Sequence, residues 1–295
     1  MKYFQHLLLA IILMSCSNKD TKPFDLQGHR GCRGLYPENT IPAFIHAIDL
    51  GVNTLEMDLA VTKDNQLVVS HEPYMSAEIC LDSLGHQISE DSQLMYNIHK
   101  MTYNEVRLFD CGSKPHPRFP DQVKMSVSKP LFTEVLDTVK QYEKLKGIKP
   151  LKYNIEIKSL PQGDNLFHPV PSVFSDLAYQ TILSSVDLNL VTIQSFDFRV
   201  LQYFHHIYPE IRLALLIEND LTIQQNLDSL GFQPDIYSCD FTLLSRESIQ
   251  QLHSSGIDVI PWTVNDPADM KRLMDWGVDG LITDYPDRFN KLENE

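Results

Sequence analysis

Runs of basic residues are missing from this 295-residue chain. Lysine and arginine together number 25, against 39 aspartates and glutamates, which gives a formal net charge of −14 at pH 7. A surface this acidic repels the phosphates of nucleic acids, so we expect no nucleic-acid partner. An anionic small molecule could bind only with help from a metal ion or from a few well-placed cations.

Cysteine is scarce as well, and no glycine-rich dinucleotide-binding fingerprint is present. The five cysteines match no zinc-binding spacing. Cys80 and Cys111 lie in the same segment, and either a disulfide bond or two buried free thiols is compatible with the sequence. Hydrophobic residues make up 43% of the chain, which is enough to bury a sizeable core.

The amino terminus carries a short apolar run, Leu7–Met14, directly before Ser15 and Cys16. The run is too short to span a bilayer and is typical of an export signal. Leu13 to Cys16 resemble a bacterial lipobox, which predicts a signal peptide over 1–15, acyl chains on Cys16 and a polar tether over 16–23. The protein would then be exported and anchored to a bacterial membrane, on its periplasmic or outer surface. The alternative is an ordinary cleaved signal with a chance cysteine.

Beyond the tether, short apolar runs alternate with helical patterns, which is typical of parallel α/β folds. Eight strand candidates at 24–29, 54–61, 153–158, 190–196, 211–217, 234–240, 258–264 and 279–284 predict an α/β fold of the (β/α)8 TIM-barrel type over 24–295. The alternative is an open doubly wound sheet. A further run at 67–71 follows the second strand too closely for a parallel crossover and must return as a hairpin. The polar segment at about 72–129 is then an insertion over the barrel mouth.

Polar residues recur where these runs end. In a TIM barrel, catalytic groups gather at the carboxyl ends of the strands. The residues at those ends are His29 and Arg30, Glu56 and Asp58, Glu156 and Lys158, Trp262, and Asp284. With a two-residue turn at Asp64-Asn65, the hairpin would place His71 opposite Asp58 and so deliver a second histidine to the same cluster.

The chemistry of this cluster indicates phosphoryl transfer. Three converging carboxylates, Glu56, Asp58 and Glu156, repel one another unless a cation lies between them, and oxygen ligands favour Mg²⁺ or Ca²⁺. Arg30 and Lys158 supply positive charge for a phosphate. Two histidines, His29 and His71, can alternately take and give a proton near neutral pH.

The motifs GHRG with PENT, E-x-D, a strand ending in histidine, IEIK, WTVN and ITDYP, in this order, resemble the glycerophosphodiester phosphodiesterase family over about residues 24–289. The resemblance implies a metal-dependent TIM barrel that hydrolyses glycerophosphodiesters to an alcohol and glycerol 3-phosphate. It implies that the substrate's own glycerol hydroxyl attacks first and that water then opens a cyclic phosphate. It further implies His29 and His71 as the acid/base pair, Glu56, Asp58 and Glu156 as metal ligands, and Arg30 and Lys158 as phosphate-binding residues.

Several residues allow more than one interpretation. Glu72 stands where the family usually has aspartate, so its longer side chain must still reach His71. Arg33 could contact the far end of the substrate or face solvent, and Glu38 could be structural or functional. Trp262 is predicted to line the glycerol pocket, and Asp284 to be a hydrogen-bond acceptor that closes the barrel. The remaining histidines that we considered are expected at the surface: His99, His116, His168, His205 and His206.

Two other functions fit the same pattern. One is a sister phospholipase-type phosphodiesterase on the same barrel, acting on a lipid or a phosphoinositide through an apolar entrance. The other is a binding lipoprotein that has lost turnover, although no catalytic position of the family pattern is broken here. We expect a small-molecule glycerophosphodiester as the substrate.

Overall fold

The chain forms a barrel of parallel strands surrounded by helices, seen in a computed structural model that describes residues 23–293. The predicted signal peptide, Cys16 and the tether up to residue 22 lie outside the described residues. The strands are β1 Asp25–Gly28, β2 Thr54–Val61, β3 Leu67–Val69, β4 Lys152–Ile157, β5 Val191–Ser195, β6 Arg212–Ile217, β7 Ile236–Cys239, β8 Asp258–Val259 and β9 Gly280–Thr283. The α-helices are α1 Ile41–Asp49, α2 Tyr103–Val106, α3 Phe132–Lys146, α4 Pro171–Ser185, α5 Phe198–Ile207, α6 Ile223–Leu230, α7 Arg246–Ser254, α8 Pro267–Trp276 and α9 Pro286–Glu293.

The strand order establishes a TIM barrel. The sheet runs β8-β7-β6-β5-β4-β2-β1-β9 with parallel pairing throughout, and β3 pairs antiparallel with β2. Backbone hydrogen bonds from the Asp279 amide to the Val259 carbonyl and from the Ile282 amide to the Pro261 carbonyl, both 2.9 Å, join β8 to β9. The (β/α)8 prediction is therefore confirmed, and the open doubly wound sheet is excluded.

Side chains along β2 point alternately to the core beneath the helices and to the interior of the barrel. Leu55, Met57 and Leu59 are fully buried in the main core, which the strands share with residues such as Phe44 of α1 and Phe132 of α3. Because successive side chains of a strand point to opposite faces, the intervening carboxylates of β2 face inward. Helix α1 begins at Ile41, and Thr40 caps it, with the Thr40 hydroxyl accepting a hydrogen bond from the Ala43 amide.

Strand β8, the seventh strand of the barrel in chain order, is shorter than predicted. Regular pairing in β8 covers only Asp258–Val259, whereas the sequence predicted a strand over 258–264. Pro261 has no amide hydrogen, so a regular ladder cannot continue through it. Beyond Val259, single hydrogen bonds instead of a regular ladder join the chain to the neighbouring strands, including one of 3.1 Å from the Trp262 amide to the Cys239 carbonyl.

The predicted register of the hairpin is wrong by one residue. Ser70, not His71, lies opposite Asp58, and the Ser70 amide donates to the Asp58 carbonyl at 2.9 Å. The turn contains three residues, 63–65, and Asn65 adopts a left-handed conformation with φ of 56°. Asparagine tolerates this conformation better than most residues, which allows the longer turn. His71 still reaches the barrel mouth because it lies beyond the end of β3.

The segment between β3 and α3 packs around a small core of its own. It contains the 3-10 helices Gln93–Met95 and Ile98–Lys100 as well as α2, and a disulfide bond joins Cys80 to Cys111. The structure thus has the bridge that the sequence left open. Within residues 23–293, no helix combines the length and the apolar character needed to cross a membrane.

Two histidines predicted at the surface are buried instead. His116 is 4% exposed and packs edge-on against Phe119, with ring centroids 4.7 Å apart. His168 is 3% exposed, and its two ring nitrogens bond to the Leu160 amide and the Pro169 carbonyl. The His168 ring is satisfied by backbone groups, whereas His116 accepts a hydrogen bond from the Arg118 amide on Nδ1 and its buried Nε2 has no partner among the described residues. A sequence pattern does not reveal either environment. The other histidines expected at the surface are half-buried or exposed: His99, His205 and His206.

Candidate active site

The end of β1 places His29 and Arg30 in a sharp turn. Arg30 has φ of 49° and Gly31 has φ of 85°, and a Cβ on Gly31 would lie 2.7 Å from the backbone of Ala43. Only glycine fits Gly31 without strain, and Arg30 adopts a conformation that is uncommon for it. The turn points the Arg30 amide at Glu56, where it donates to Oε2 at 2.8 Å.

Three carboxylates converge inside the mouth of the barrel. Glu56, Asp58 and Glu156 are buried, and one oxygen of each lies within 4.8 Å of the others. Amide side chains hold two of them in place: Gln194 donates to Glu56 Oε1 at 2.8 Å, and Asn39 donates to Asp58 Oδ2 at 2.8 Å. These bonds orient Glu56 and Asp58, and Lys158 at 2.8 Å orients Glu156.

The electrostatics of the triad favour a bound cation. Burial, together with the neighbouring Asp58, raises the pKa of Glu56 well above its usual range, and burial also raises the pKa of Glu156. Burial alone would raise the pKa of Asp58 too, but the charges of Arg30 and Lys158 lower it below its usual range. Carboxyl groups this close oppose one another's ionisation, and a positive ion between them would relieve that repulsion.

The donor set fits a hard divalent cation. Ligands of one Ca²⁺ lie about 2.3–2.6 Å from the ion and ligands of Mg²⁺ about 2.0–2.1 Å, so two ligands of one ion are at most about 4–5 Å apart. The oxygens of Glu56, Asp58 and Glu156 all lie within 4.8 Å of one another, which meets this limit for Ca²⁺. Ligands of Mg²⁺ would have to lie within about 4.2 Å of one another. A set made only of carboxylate oxygens suits Mg²⁺ or Ca²⁺ better than a softer metal. These three residues could hold such an ion.

Both histidines at the mouth have a carboxylate partner on Nδ1. His29 Nδ1 lies 2.7 Å from Asp284 Oδ1, and His71 Nδ1 lies 2.7 Å from Glu72 Oε1. The longer side chain of Glu72 therefore does reach His71. Because each carboxylate engages Nδ1, it favours the tautomer with the proton on that nitrogen and leaves Nε2 available as a base.

The environment of His29 keeps its ring neutral. Burial and the nearby Arg33 guanidinium lower the pKa of His29 to about 4, even though Asp284 opposes this shift. His29 Nε2 lies 4.0 Å from Glu56 Oε2, at the edge of the acidic triad. At neutral pH the free Nε2 of His29 can accept a proton.

The two candidate phosphate-binding cations form ion pairs within the site. Arg30 Nη1 donates to both carboxylate oxygens of Glu38 at 3.0 Å, and its Nε lies 3.4 Å from Asp58. Lys158 Nζ lies 2.8 Å from Glu156 Oε1. Both side chains are mostly buried at the mouth, which concentrates positive charge beside the triad.

Arg33 does not face solvent, so that alternative is wrong. Its guanidinium is buried and donates to both carboxylate oxygens of Asp284, at 2.8 and 3.1 Å. Asp284 thus accepts hydrogen bonds from Arg33 and His29 at once, and from Asn265 at 2.8 Å. Glu38, which the sequence left open, is buried and pairs with Arg30.

A cavity of about 320 Å³ brings these groups together. Its lining includes His29, Arg30, Glu56, His71, Glu156 and Trp262. The indole of Trp262 packs edge-on against Phe196 at 5.5 Å and donates to the Ser238 carbonyl at 3.0 Å. Lys158 and Asp58 lie just beside this cavity, linked to it through Glu156.

Sequence reasoning missed several residues that support the site. Gln194 and Asn39 hold the triad, and Phe196 forms part of the cavity wall. Gln194 had a detectable signal, because it lies on the inward face of a strand whose opposite face carries the core residues Val191 and Ile193. Asn39 had none beyond its place in the PENT motif, where its φ of 56° and its hydrogen bond to Asp58 become visible only in three dimensions.

Comparison with known proteins gives one consistent family. A model described as "Glycerophosphoryl diester phosphodiesterase family" matches residues 29–288. A glycerophosphodiester phosphodiesterase of Bacillus altitudinis is 28% identical over 90% of this chain and 97% of its own length. Lysophospholipase D GDPD1 of Mus musculus is 28% identical over 90% of this chain and 85% of its own.

Solved structures agree with the fold. A Silicibacter pomeroyi protein, provisionally described as a glycerophosphoryl diester phosphodiesterase, superposes with a TM-score of 0.80 at 26% identity, over 92% of this chain and 93% of its own. An Oleispira antarctica phosphodiesterase, solved with the product sn-glycerol-3-phosphate, gives a TM-score of 0.72 at 19% identity, over 92% and 97% of the two chains.

Proposed function

The chain belongs to the glycerophosphoryl diester phosphodiesterase family, and on that premise we propose that it hydrolyses glycerophosphodiesters to an alcohol and sn-glycerol 3-phosphate. The observation that carries the proposal is the buried triad of Glu56, Asp58 and Glu156 beside two histidines whose Nδ1 atoms are held by carboxylates. Such a site combines charge stabilisation with paired proton transfer, which phosphodiester hydrolysis needs.

In this proposal Glu56, Asp58 and Glu156 hold Mg²⁺ or Ca²⁺. The bound ion would supply Lewis-acid stabilisation of charge on the phosphate oxygens. Arg30 and Lys158 add positive charge for the same oxygens, because both lie at the triad.

His29 and His71 act as the acid/base pair. The neutral ring of His29, whose pKa is lowered to about 4 mainly by burial, suits the base that takes a proton from the attacking hydroxyl. His71, whose Nδ1 is held by Glu72, serves as the acid that gives a proton to the leaving alcohol. In the second half of the reaction the roles reverse as water opens the cyclic phosphate. Trp262 forms the part of the cavity wall that contacts the glycerol group of the substrate.

The experiment is release of glycerol phosphate from glycerophosphocholine and glycerophosphoethanolamine, with and without excess EDTA. We expect release that stops with the chelator and returns with Mg²⁺ or Ca²⁺. His71→Ala should abolish turnover while His253→Ala, at a histidine that pairs with Asp279 away from the site, should retain it. Full activity in excess EDTA, or undiminished turnover in His71→Ala, would overturn the proposal, and absence of turnover in the intact protein would favour a non-catalytic binding lipoprotein.

A sister phosphodiesterase that acts on a lipid is the second candidate. A relative named lysophospholipase D covers 90% of this chain, and a second, apolar cavity adjoins the mouth and could serve as the entrance that such an enzyme needs. A panel of soluble and monoacylated diesters separates the two, because the lipid-specific enzyme would turn over only the acylated members.

We also propose that the protein is exported and anchored through acyl chains on Cys16, with 16–23 as its tether. The apolar run and the lipobox-like residues before Cys16 support this. Cys16→Ala should move the protein from the membrane fraction to the soluble fraction. Continued recovery with membranes would contradict the anchor.

A further inference from the structure

The mouth of the barrel opens into two cavities of different character. The first, about 320 Å³, contains the charged and amide side chains of the site, such as Arg30, Arg118 and Gln194. The second, about 410 Å³, lies on the other side of His71 and is walled by Pro73, Leu160, Phe167 and Phe196. The two cavities share His71, Glu156 and Phe196. A group bound beside His71 and Glu156 could therefore extend into both.

Most polar side chains around the second cavity are already satisfied within the protein, and the exception is the exposed amide of Gln162, which forms no side-chain hydrogen bond with the described residues. Both ring nitrogens of His168 bond to backbone groups, and Ser159 donates to Asp197 at 2.7 Å. Glu72 is engaged by His71, and Lys158 by Glu156. What these walls offer a ligand is therefore mainly hydrocarbon surface, and Leu160 keeps 58% of its surface exposed at the rim. Burying apolar surface there is favourable, whereas burying an unpaired hydroxyl is costly.

The segment that forms this wall is braced. Arg199 of α5 pairs with Asp164, within the segment, at 2.8 Å and with Asp197 at 2.6 Å. Phe167 packs edge-on against Tyr74, with ring centroids 6.4 Å apart. A wall held in this way binds without first having to become ordered, which favours a specific ligand.

The phosphate of a glycerophosphodiester carries two groups, a glycerol arm and an alcohol arm. The two cavities differ in polarity, so each suits a different arm. The glycerol arm carries hydroxyl groups that need hydrogen-bond partners, which the first cavity provides. We infer that the second cavity binds a hydrocarbon group on the alcohol arm, so that the enzyme prefers glycerophosphodiesters of apolar alcohols over those of small polar ones. The inference rests on the proposed function, since it assigns the position of the substrate in that reaction.

The test is a series of glycerol 3-phosphate esters with methyl, butyl and octyl alcohols, each kept below its micelle concentration. Each methylene that enters the cavity should raise kcat/KM about threefold to fourfold. The butyl ester should therefore exceed the methyl ester by at least about tenfold. Binding energy from such a remote group is realised in kcat/KM, so this ratio is the quantity to measure.

Two wall variants and one matched control complete the test. Leu160→Gln and Phe167→Ala should each reduce the butyl-to-methyl ratio at least about fivefold, because they remove apolar contact. Leu84→Gln changes another exposed leucine, which lies on neither cavity, and should keep the ratio of the unmodified protein.

Equal kcat/KM for methyl and butyl esters, or an unchanged ratio in both wall variants, would overturn the inference and leave the proposed function intact. Failure to hydrolyse any ester would refute the proposed function and this inference with it.

Discussion

Replacing Asp284 by asparagine tests how the site holds His29. Asp284 is fully buried and accepts hydrogen bonds from His29 Nδ1 and from two nitrogens of Arg33. Asparagine keeps the shape of the side chain but not its charge. It therefore leaves the buried Arg33 guanidinium without its closest carboxylate.

Both stability and turnover should fall. Removing one partner of a buried ion pair costs about 3–5 kcal/mol, and the second carboxylate near Arg33, Glu38 Oε2 at 3.9 Å, should keep the loss toward the lower end. Loss of the carboxylate that orients a catalytic histidine lowers kcat by about 10²–10⁴-fold in comparable sites. We expect a decrease of that order in glycerol phosphate release by Asp284→Asn.

The pH dependence of kcat/KM tests the role of Asp284 most directly. Asp284 raises the pKa of His29, while burial and Arg33 lower it to about 4. Without the carboxylate, the pKa of His29 falls further. The acid limb of kcat/KM, where His29 becomes protonated, should therefore move to lower pH in Asp284→Asn.

The assay combines pH–rate profiles with thermal unfolding, and Asp279→Asn is the matched control. Asp279 lies at the opposite end of β9 and accepts a hydrogen bond from His253 at 2.8 Å, so its loss should leave turnover and the acid limb in place. An acid limb that moves to higher pH, or turnover in Asp284→Asn equal to that of the unmodified protein, would refute the reasoning.

Three further predictions concern the metal, acid stability and the insertion. Glu156→Gln should weaken binding of Mg²⁺ or Ca²⁺ at least about tenfold in calorimetric titration; equal affinity would remove Glu156 from the ligand set. Burial raises the pKa of Glu38, but Arg30 and Arg33 lower it to about 2, so the stability this carboxylate adds is present above about pH 4.5 and is lost as the pH falls toward 2. This loss should amount to about 3 kcal/mol in urea unfolding and be missing in Glu38→Gln; parallel curves for both proteins would contradict it. Cys111→Ser opens a disulfide that spans 31 residues and should cost about 3–4 kcal/mol, as should reduction of the intact protein; an unchanged melting temperature under both treatments would show that the bridge does not stabilise the fold.

The barrel and its strand ends could be predicted because both follow from local patterns. Apolar runs separated by helical periodicity mark the parallel strands, and in parallel strands all the carboxyl ends meet at one rim. This is why Glu56, Asp58 and Glu156 could be placed together although about a hundred residues separate the first from the last.

Two kinds of feature could not be predicted. One is a hairpin register that depends on one extra residue in the turn, and the other is burial that depends on a hydrogen-bond partner found only in the folded structure. The hairpin register follows from a three-residue turn, which Asn65 allows but does not require. Arg33 looks like a solvent-facing residue until Asp284, 251 positions away, is seen to bind it. His168 likewise belongs to the interior only because the backbone around it supplies both of its hydrogen-bond partners.

The point where the chain enters the barrel bears on how the enzyme would sit at a cell envelope. Phe24, just before β1, stacks on Phe289 with ring centroids 5.3 Å apart, and it lies at the amino ends of the strands, away from the mouth. Eight residues at 16–23, even fully extended, reach at most about 28 Å. If Cys16 is acylated as proposed, this length would hold the amino ends of the strands toward the lipid, and the mouth of the barrel would face the aqueous side from which diesters diffuse.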